Sequence, residues 1–235
     1  MPQTGAGDIV RQTLRGVLAG SDRAAPQFRA CFYRERAIRD YLVDRDLVLY
    51  QARRDIVAPV GSPRFGGCWR VDRVRYPGAD LPSAELDRST GHWNPPGQWE
   101  VFEVERGEIV MLSRMPGHGQ PVELTHCTAG SLLVLPPDIW HLTYAPAGPA
   151  SVTNAYTSSP HSRHDGKYFS RRSTIRCGLY RDGDRVAVYQ CAADPVVHRI
   201  APRPEGALPS LAELFGTGHD PAEVARFEEH CAQYC

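Results

Sequence analysis

Residues 91–107 read GHWNPPGQWEVFEVERG, and this stretch carries both the turn and the polar residues that decide the fold. Because alternate residues of a strand face the same side, His92 and Asn94 point to one face of a short strand. The segment PPGQ at 95–98 breaks that strand. Glu100 then opens a second strand and faces the same interior. The stretch therefore predicts two strands that bring an imidazole, an amide and a carboxylate together.

A third polar residue of this kind follows in GSLLVLPPDIWHLTYAPAG at 130–148. The proline pair at 136–137 ends one strand, and His141 begins the returning strand. Two imidazoles and one carboxylate that converge from three strands make a first-row transition-metal site with open positions. A single histidine in a β-rich chain is more often structural, so the prediction depends on His92, Glu100 and His141 together.

The middle of the chain is rich in short β-type segments separated by turn residues. These segments are 47–50, 69–76, 99–105, 109–113, 131–135, 141–144, 151–156 and 185–191. Several short strands at close spacing, with few helices between them, are typical of an antiparallel barrel or jelly roll. Gly183 can adopt a positive φ, so we expect a hairpin turn at 181–184.

The two ends of the chain have helical patterns instead. Apolar residues at helical spacing follow Asp8, a candidate N-cap. Ser210 and Glu213 form a capping box, and Asp220 precedes Pro221 at the first position of a second C-terminal helix. We expect these helices to pack on the outside of the core. The predicted division is an N-terminal helical extension at 1–44, a barrel at 45–195, and a C-terminal linker with helices at 196–235.

The composition excludes several classes of protein. Lys+Arg and Asp+Glu balance at 27 each in 235 residues, so no overall field attracts nucleic acid or an anionic membrane. The seven cysteines include no C-x-x-C pair, which argues against a disulfide framework and favours a reducing compartment. No signal peptide and no apolar stretch of membrane-spanning length is visible. The sequence therefore predicts a cytoplasmic protein.

The two quoted motifs also resemble a known family. GHWNPPGQWEVFEVERGEIVML and AGSLLVLPPDIWHLT resemble the paired motifs of the cupin superfamily, and within it they are most similar to the cupin-type glucose-6-phosphate isomerase family, known chiefly from archaea. That family has G-H-x-H, a glutamate opening E-V-[YF]-x-x-x-x-G, and a P-P-x-x-x-H return. The resemblance covers roughly residues 45–190. It implies a mainly β fold, the double-stranded β-helix or jelly-roll barrel, in a homodimer.

The resemblance also implies a set of site residues. His92, Glu100 and His141 match three of the family's ligands for one divalent transition metal (Fe, Zn, Ni or Mn), and Asn94 stands where the fourth ligand is a histidine. The resemblance also implies contacts to a small anionic substrate. Ser89 and Gly91 match part of the family's phosphate-binding segment, and Tyr156 and His161 fall near its remaining sugar-phosphate contacts. Arg73 stands where the family has a small hydroxyl residue, and Phe102 where it often has a tyrosine.

Three departures from the family pattern affect the chemistry. Asn94 offers a neutral carbonyl oxygen, a weaker ligand than imidazole. If it does not coordinate, two histidines and one carboxylate remain, the arrangement of non-haem Fe(II) enzymes that activate oxygen. Arg73 can bind phosphate or carboxylate, narrow the pocket, or lie on the surface. Phe102 lacks a hydroxyl that would donate to substrate, although it suits core packing.

These features support three hypotheses. The first is a metal-dependent isomerase of a small phosphorylated sugar or related hydroxy-carbonyl compound, with Glu100 as the catalytic base. The second is a non-haem Fe(II) cupin oxygenase, or another cupin enzyme recruited to specialised metabolism, acting on a carboxylated substrate. The third is a non-catalytic cupin that binds a metal or sugar. No DNA-binding helix pair or basic patch supports a role on nucleic acid.

Overall fold

The computed structural model describes residues 9–13, 48–77, 87–88, 92–117, 119–146, 148–158, 177–182, 185–190, 196–202 and 209–234. The strands are β1 (Ile9–Thr13), β2 (Val48–Arg53), β3 (Val60–Gly61), β4 (Cys68–Tyr76), β5 (Asp87–Arg88), β6 (His92–Trp93), β7 (Glu100–Arg106), β8 (Glu108–Arg114), β9 (Val122–Thr128), β10 (Leu132–Leu135), β11 (Trp140–Ala145), β12 (Ala150–Ser158), β13 (Cys177–Asp182), β14 (Arg185–Gln190) and β15 (Val196–Ile200). The helices are α1 (Leu211–Leu214) and α2 (Pro221–Ala232).

Two sheets form the body of the protein. The first has the order β1-β2-β4-β12-β7-β10, with β3 paired to β4, and the second has the order β15-β9-β8-β11-β5, with β6 paired to β11. Alternate residues of each sheet face a shared interior, where Val74 and Phe102 of the first sheet pack in one cluster with Ile109 and Met111 of the second. The structure confirms the predicted mainly β jelly roll.

The outer face of the first sheet is covered by the two C-terminal helices. Trp69 and Val101 of the sheet form one buried cluster with Leu211, Phe215 and Phe227. Both helix starts agree with the sequence, because Ser210 and Glu213 make the capping box and Asp220 caps α2 ahead of Pro221. Burial of these apolar side chains stabilises the docking of the helices by the hydrophobic effect. For the C-terminal end, the predicted packing of helices on the outside of the core is confirmed.

The N-terminal prediction is wrong where the structure tests it. Ile9–Thr13 is strand β1, which pairs antiparallel with β2, and residues 14–47 lie outside the described part of the chain. The β-branched residues of this segment suit a strand, and non-local pairing overrides the helical periodicity. At the other end, β15 pairs parallel with β9, so the second sheet extends past the predicted barrel boundary at 195.

Two further features concern the connections. The strands β13 and β14 pair antiparallel, as expected for the predicted hairpin, although its turn residues 183–184 lie outside the described residues. The predicted strands do not include β9, in which the partly exposed Glu123 and His126 interrupt the apolar pattern. Within the described part of the chain, no helix has the length and apolar character needed to span a bilayer.

Candidate metal centre

The two sheets bring the predicted ligands together from opposite sides. The short strand β6 pairs with β11 so that His92 lies directly opposite His141 in the second sheet. A turn follows, in which the Gln98 N–H donates to the Pro95 carbonyl over 3.0 Å and Gly97 has a φ of 78°. This turn passes the chain to the first sheet, where β7 begins at Glu100. Two imidazoles therefore face one carboxylate across the interior.

The distances are those of a cluster able to hold one cation. Oε2 of Glu100 lies 3.4 Å from Nε2 of His141 and 3.8 Å from Nε2 of His92, and one ligand atom from each residue lies within 4.8 Å of the others. Ligands about 2.0–2.2 Å from a shared zinc-like ion are separated by comparable distances. The Glu100 Oε2 atom is buried and has no hydrogen-bond partner among the described residues. The donor set and this orphaned oxygen fit a divalent transition metal.

Burial changes the protonation of both inner residues. It raises the pKa of the Glu100 carboxyl to about 7, although the hydrogen bond from Asn154 opposes the rise. Burial, together with the neighbouring His92, holds the pKa of His141 well below its ordinary value. His141 is therefore a neutral imidazole, the form that binds metals. Without a cation nearby, the ionised Glu100 is costly in this environment.

Two amides hold the cluster in place. Asn154 Nδ2 donates to Glu100 Oε1 over 2.7 Å, which leaves Oε2 facing the histidines. Asn94 is fully buried, and its Nδ2 donates to the Pro136 carbonyl over 3.3 Å. Asn94 Oδ1 is buried with no hydrogen-bond partner among the described residues. The Asn94 amide is also close enough to Glu100 to stabilise its ionised form by hydrogen bonding, so the side chain lies beside the cluster, and its carbonyl oxygen is the candidate fourth ligand.

The cluster opens into a cavity of about 540 Å³ between the sheets. The described residues that line it are Tyr50, Ala52, Arg54, Arg70, Val74, Tyr76, His92, Gln98, Glu100, Phe102, His141, Thr143, Asn154 and Tyr156. Of the predicted substrate contacts, Phe102 and Tyr156 are in this lining, and the Phe102 ring centroid lies 5.6 Å from that of His141. Ser89, Gly91 and His161 lie outside the described residues.

The structure does not bring Arg73 to the cavity. Alternation along β4 turns Arg70, Val74 and Tyr76 inward, so Arg73 faces outward, where its Nε donates to Glu105 Oε1 over 3.0 Å. Of the three alternatives given for Arg73 from the sequence, the one that places it on the surface is correct. Two other arginines, Arg54 and Arg70, line the cavity and were missed. Arg70 and Tyr76 have the same strand parity along β4, so the inward position of Tyr76 also predicts an inward Arg70.

Tryptophans beside the ligand motifs lie behind the barrel wall. Trp93 belongs to the apolar cluster on the outer side of the second sheet, and Trp99 stacks on Phe65 with ring centroids 4.5 Å apart on the outer side of the first. Both residues have the strand parity opposite to that of the ligands. Their burial fixes the short strands from outside and so supports the positions of His92 and Glu100.

No protein-family model matches the sequence, and no curated protein matches it. Solved structures share part of the fold. An oxalate oxidase has 19% identity over 38% of this chain and 42% of its own, with a TM-score of 0.31; KdgF from Halomonas sp. has 12% identity over 48% of this chain and 81% of its own, with a TM-score of 0.33. A variant of the Bacillus subtilis oxalate decarboxylase has 15% identity over 48% of this chain and 26% of its own, with a TM-score of 0.35. These neighbours have the cupin fold, and each match covers less than half of this chain.

Proposed function

We propose that the protein is a metal-dependent isomerase of a small hydroxy-carbonyl compound that carries an anionic group. The observation on which this proposal depends is the convergence of His92, Glu100 and His141 in a partly open cavity, with an orphaned carboxylate oxygen beside both imidazoles. The resemblance of the ligand motifs to a sugar-phosphate isomerase family supports the reaction type.

His92, Glu100 and His141 would hold a divalent transition metal, with Asn94 Oδ1 as the fourth donor, and the ion would supply Lewis-acid polarisation of the substrate carbonyl and its adjacent hydroxyl. Glu100 is the candidate base that moves a proton between the two carbons. In the metal-free site burial raises the pKa of its carboxyl to about 7, but a carboxylate bound to a cation is less basic. Glu100 would therefore have to detach from the ion to act as the base, or leave the proton transfer to a water molecule.

The other cavity residues orient the substrate and exclude water. Asn154 holds Oε1 of Glu100, so the proton is exchanged at Oε2. Phe102 and Val74 give the cavity apolar walls. Burial raises the pKa of the Tyr156 phenol to about 12, so this hydroxyl stays protonated and can donate to a substrate oxygen.

Proton transfer between adjacent carbons incorporates solvent deuterium, and this gives the test. The metal-stripped protein is reloaded separately with Mn²⁺, Fe²⁺, Ni²⁺ or Zn²⁺ and incubated in D₂O with aldose and ketose phosphates and with keto and aldehydo sugar acids. NMR should detect interconversion and deuterium at the carbon beside the carbonyl, and Glu100→Gln should lose both. His126→Ala is the matched control, because His126 pairs with Glu108 on the surface. Absence of exchange with every metal and every substrate would refute the proposal.

The second candidate is an Fe(II)-dependent oxygenase. One observation favours it: the two-histidine, one-carboxylate set packs against Phe102 instead of a hydroxyl-bearing residue, and such sets with open positions occur in oxygen-activating iron enzymes. Oxygen uptake that requires both Fe²⁺ and a carboxylated substrate would support this reaction. Unchanged turnover under strict anaerobiosis would exclude it and leave the isomerase.

A further inference from the structure

We propose that Arg54, Arg70 and Tyr156 form a carboxylate-binding subsite in the cavity, one that accepts a singly charged carboxylate in preference to a dianionic phosphate. The subsite would make the substrate a hydroxy-carbonyl acid. In that respect it rests on the proposed function, although the subsite itself can be tested by binding alone.

Strand register places the subsite at a fixed distance from the metal-ligand cluster. Tyr156 on β12 lies directly opposite Arg70 on β4 and, on its other side, directly opposite Glu100 on β7. All three line the cavity. Neighbouring strands are separated by about 4.8 Å, so the backbones at Arg70 and Glu100 are about 10 Å apart. A short-chain ligand with one end at Glu100 therefore passes Tyr156 and has its other end at Arg70.

Each arginine is oriented by one carboxylate. Arg70 donates through Nε to Asp55 Oδ1 over 2.7 Å and through Nη2 to the other oxygen. Arg54 donates through Nη1 to Asp72, which is fully buried and also accepts the Asp55 backbone N–H over 2.9 Å. Among the described residues, these contacts leave Nε and Nη2 of Arg54 and Nη1 of Arg70 for a ligand. Guanidinium N–H groups fixed in this way suit the planar geometry of a carboxylate.

Tyr156 adds a neutral donor between the two ends. Its phenol is a neutral hydrogen-bond donor and lines the cavity. The charges of Arg54 and Arg70 are close enough to act on this phenol. Tyr156 thus adds a donor between Glu100 and Arg70.

Charge balance selects the carboxylate. The charges of Arg54 and Arg70 are cancelled by Asp55 and Asp72. Among the described charged groups around the cavity, this leaves the negative charge of Glu100 and the two positive charges of a bound divalent ion, which together give one positive charge. A monoanionic carboxylate neutralises it, whereas a dianionic phosphate leaves one excess negative charge in a partly dehydrated space, which is unfavourable.

Three ligands with the same six-carbon polyol chain test the subsite by titration calorimetry: D-gluconate, D-sorbitol 6-phosphate and D-sorbitol. With the Zn²⁺-loaded protein, we expect gluconate to bind at least about tenfold more tightly than either of the others. Arg70→Gln should weaken gluconate binding by about 10- to 100-fold, the loss expected for charge-assisted hydrogen bonds, and leave Zn²⁺ affinity unchanged. Arg75→Gln, a change of an exposed residue on the same strand, is the control and should bind gluconate as the wild type does.

Arg54→Lys provides a second variant, since it keeps the charge beside buried Asp72 while removing the planar donor set. It should also weaken gluconate binding. The proposal is overturned if sorbitol 6-phosphate binds as tightly as gluconate, if gluconate does not bind, or if folded Arg70→Gln binds gluconate unchanged. Should Arg54→Lys fail to fold, Arg70→Gln alone decides, because its partner Asp55 is partly exposed. Gluconate binding in a protein with no isomerase activity would refute the proposed function and leave the subsite supported.

Discussion

Two buried glutamates on opposite faces of the first sheet show how structure and function use the same side chain differently. Glu228 of α2 is fully buried, and Glu100 of β7 is 3% exposed. Glu228 accepts three hydrogen bonds, from Ser62 Oγ at 2.6 Å, the Arg64 N–H at 2.9 Å and Trp69 Nε1 at 2.8 Å. Glu100 accepts one from Asn154, and its second oxygen is orphaned beside two imidazoles.

The difference separates a structural carboxylate from a functional one. The donors around Glu228 replace its lost hydration, so this residue fastens α2 to the barrel. Glu100 has too few donors to be stable as an isolated anion, and its raised pKa reflects that deficit. A cation between Glu100 and the histidines would stabilise the carboxylate in place of the missing donors. Of these two glutamates, the one with an unsatisfied oxygen faces the cavity, and the satisfied one lies under the helices.

The largest expected effect is on stability at Glu228. Glu228→Ala leaves the three donors of Ser62, Arg64 and Trp69 without their acceptor, so we expect a loss of about 3–5 kcal/mol in the free energy of unfolding. Urea denaturation of the metal-free protein measures it. Glu100→Gln should not lower the free energy of unfolding of the metal-free protein. Equal destabilisation by the two substitutions would remove the distinction between the two glutamates.

The next effect is on metal affinity, where the substitution at Glu100 should have the larger effect and that at Glu228 the smaller one. Glu100→Gln replaces an anionic ligand by a neutral one, so we expect Zn²⁺ affinity to fall by more than about 100-fold, since changing a residue behind the ligands already costs about 10- to 100-fold. Glu228→Gln should leave Zn²⁺ affinity unchanged in the folded protein. Competition with a chromophoric chelator measures both. Retention of wild-type affinity by Glu100→Gln would place the metal elsewhere.

The third effect is a pH dependence at Glu100. The pKa of its carboxyl is about 7 in the folded, metal-free protein and about 4.5 for the unfolded reference. The folded state therefore binds the proton more tightly, and the stabilisation, present below about pH 4.5, is lost as the pH rises through about 7. Compared with Glu100→Gln, the metal-free wild type should lose on the order of 2 kcal/mol between pH 5 and pH 8. Parallel pH profiles for the two proteins would contradict this.

The smallest effect is a gain at Asn94. Asn94→His replaces a neutral carbonyl oxygen by an imidazole beside the cluster, and we expect about a tenfold rise in Zn²⁺ affinity. The same chelator competition measures it. Asn154→His, a change of an amide that holds Glu100 from behind, should lower the affinity instead. If Asn94→His leaves the affinity unchanged, the Asn94 side chain does not reach the ion.

The sequence predicted features that depend on local signals. The turn at 95–98, the proline pair before His141 and the alternation of β7 were enough to bring His92, Glu100 and His141 into one interior. The helix caps at Ser210 and Asp220 were equally local. Homodimerisation and cytoplasmic location stay predictions.

The features that the sequence did not predict depend on non-local pairing. The inward position of Arg70, and the outward one of Arg73, follow from the register of β4 against β12. Ile9–Thr13 became a strand because β2 offers it a partner. Glu228 accepts hydrogen bonds from residues about 160 positions away in the chain, and no short sequence motif predicts such a contact.

X-ray absorption at the zinc edge of the Zn²⁺-reconstituted wild type tests the metal centre most directly. We expect one zinc per chain with two imidazole nitrogens and oxygen donors at about 2.0–2.2 Å, and no sulfur. A zinc–sulfur distance of about 2.3 Å, which would assign the ion to some of the seven cysteines, or fewer than two imidazoles, would contradict the account.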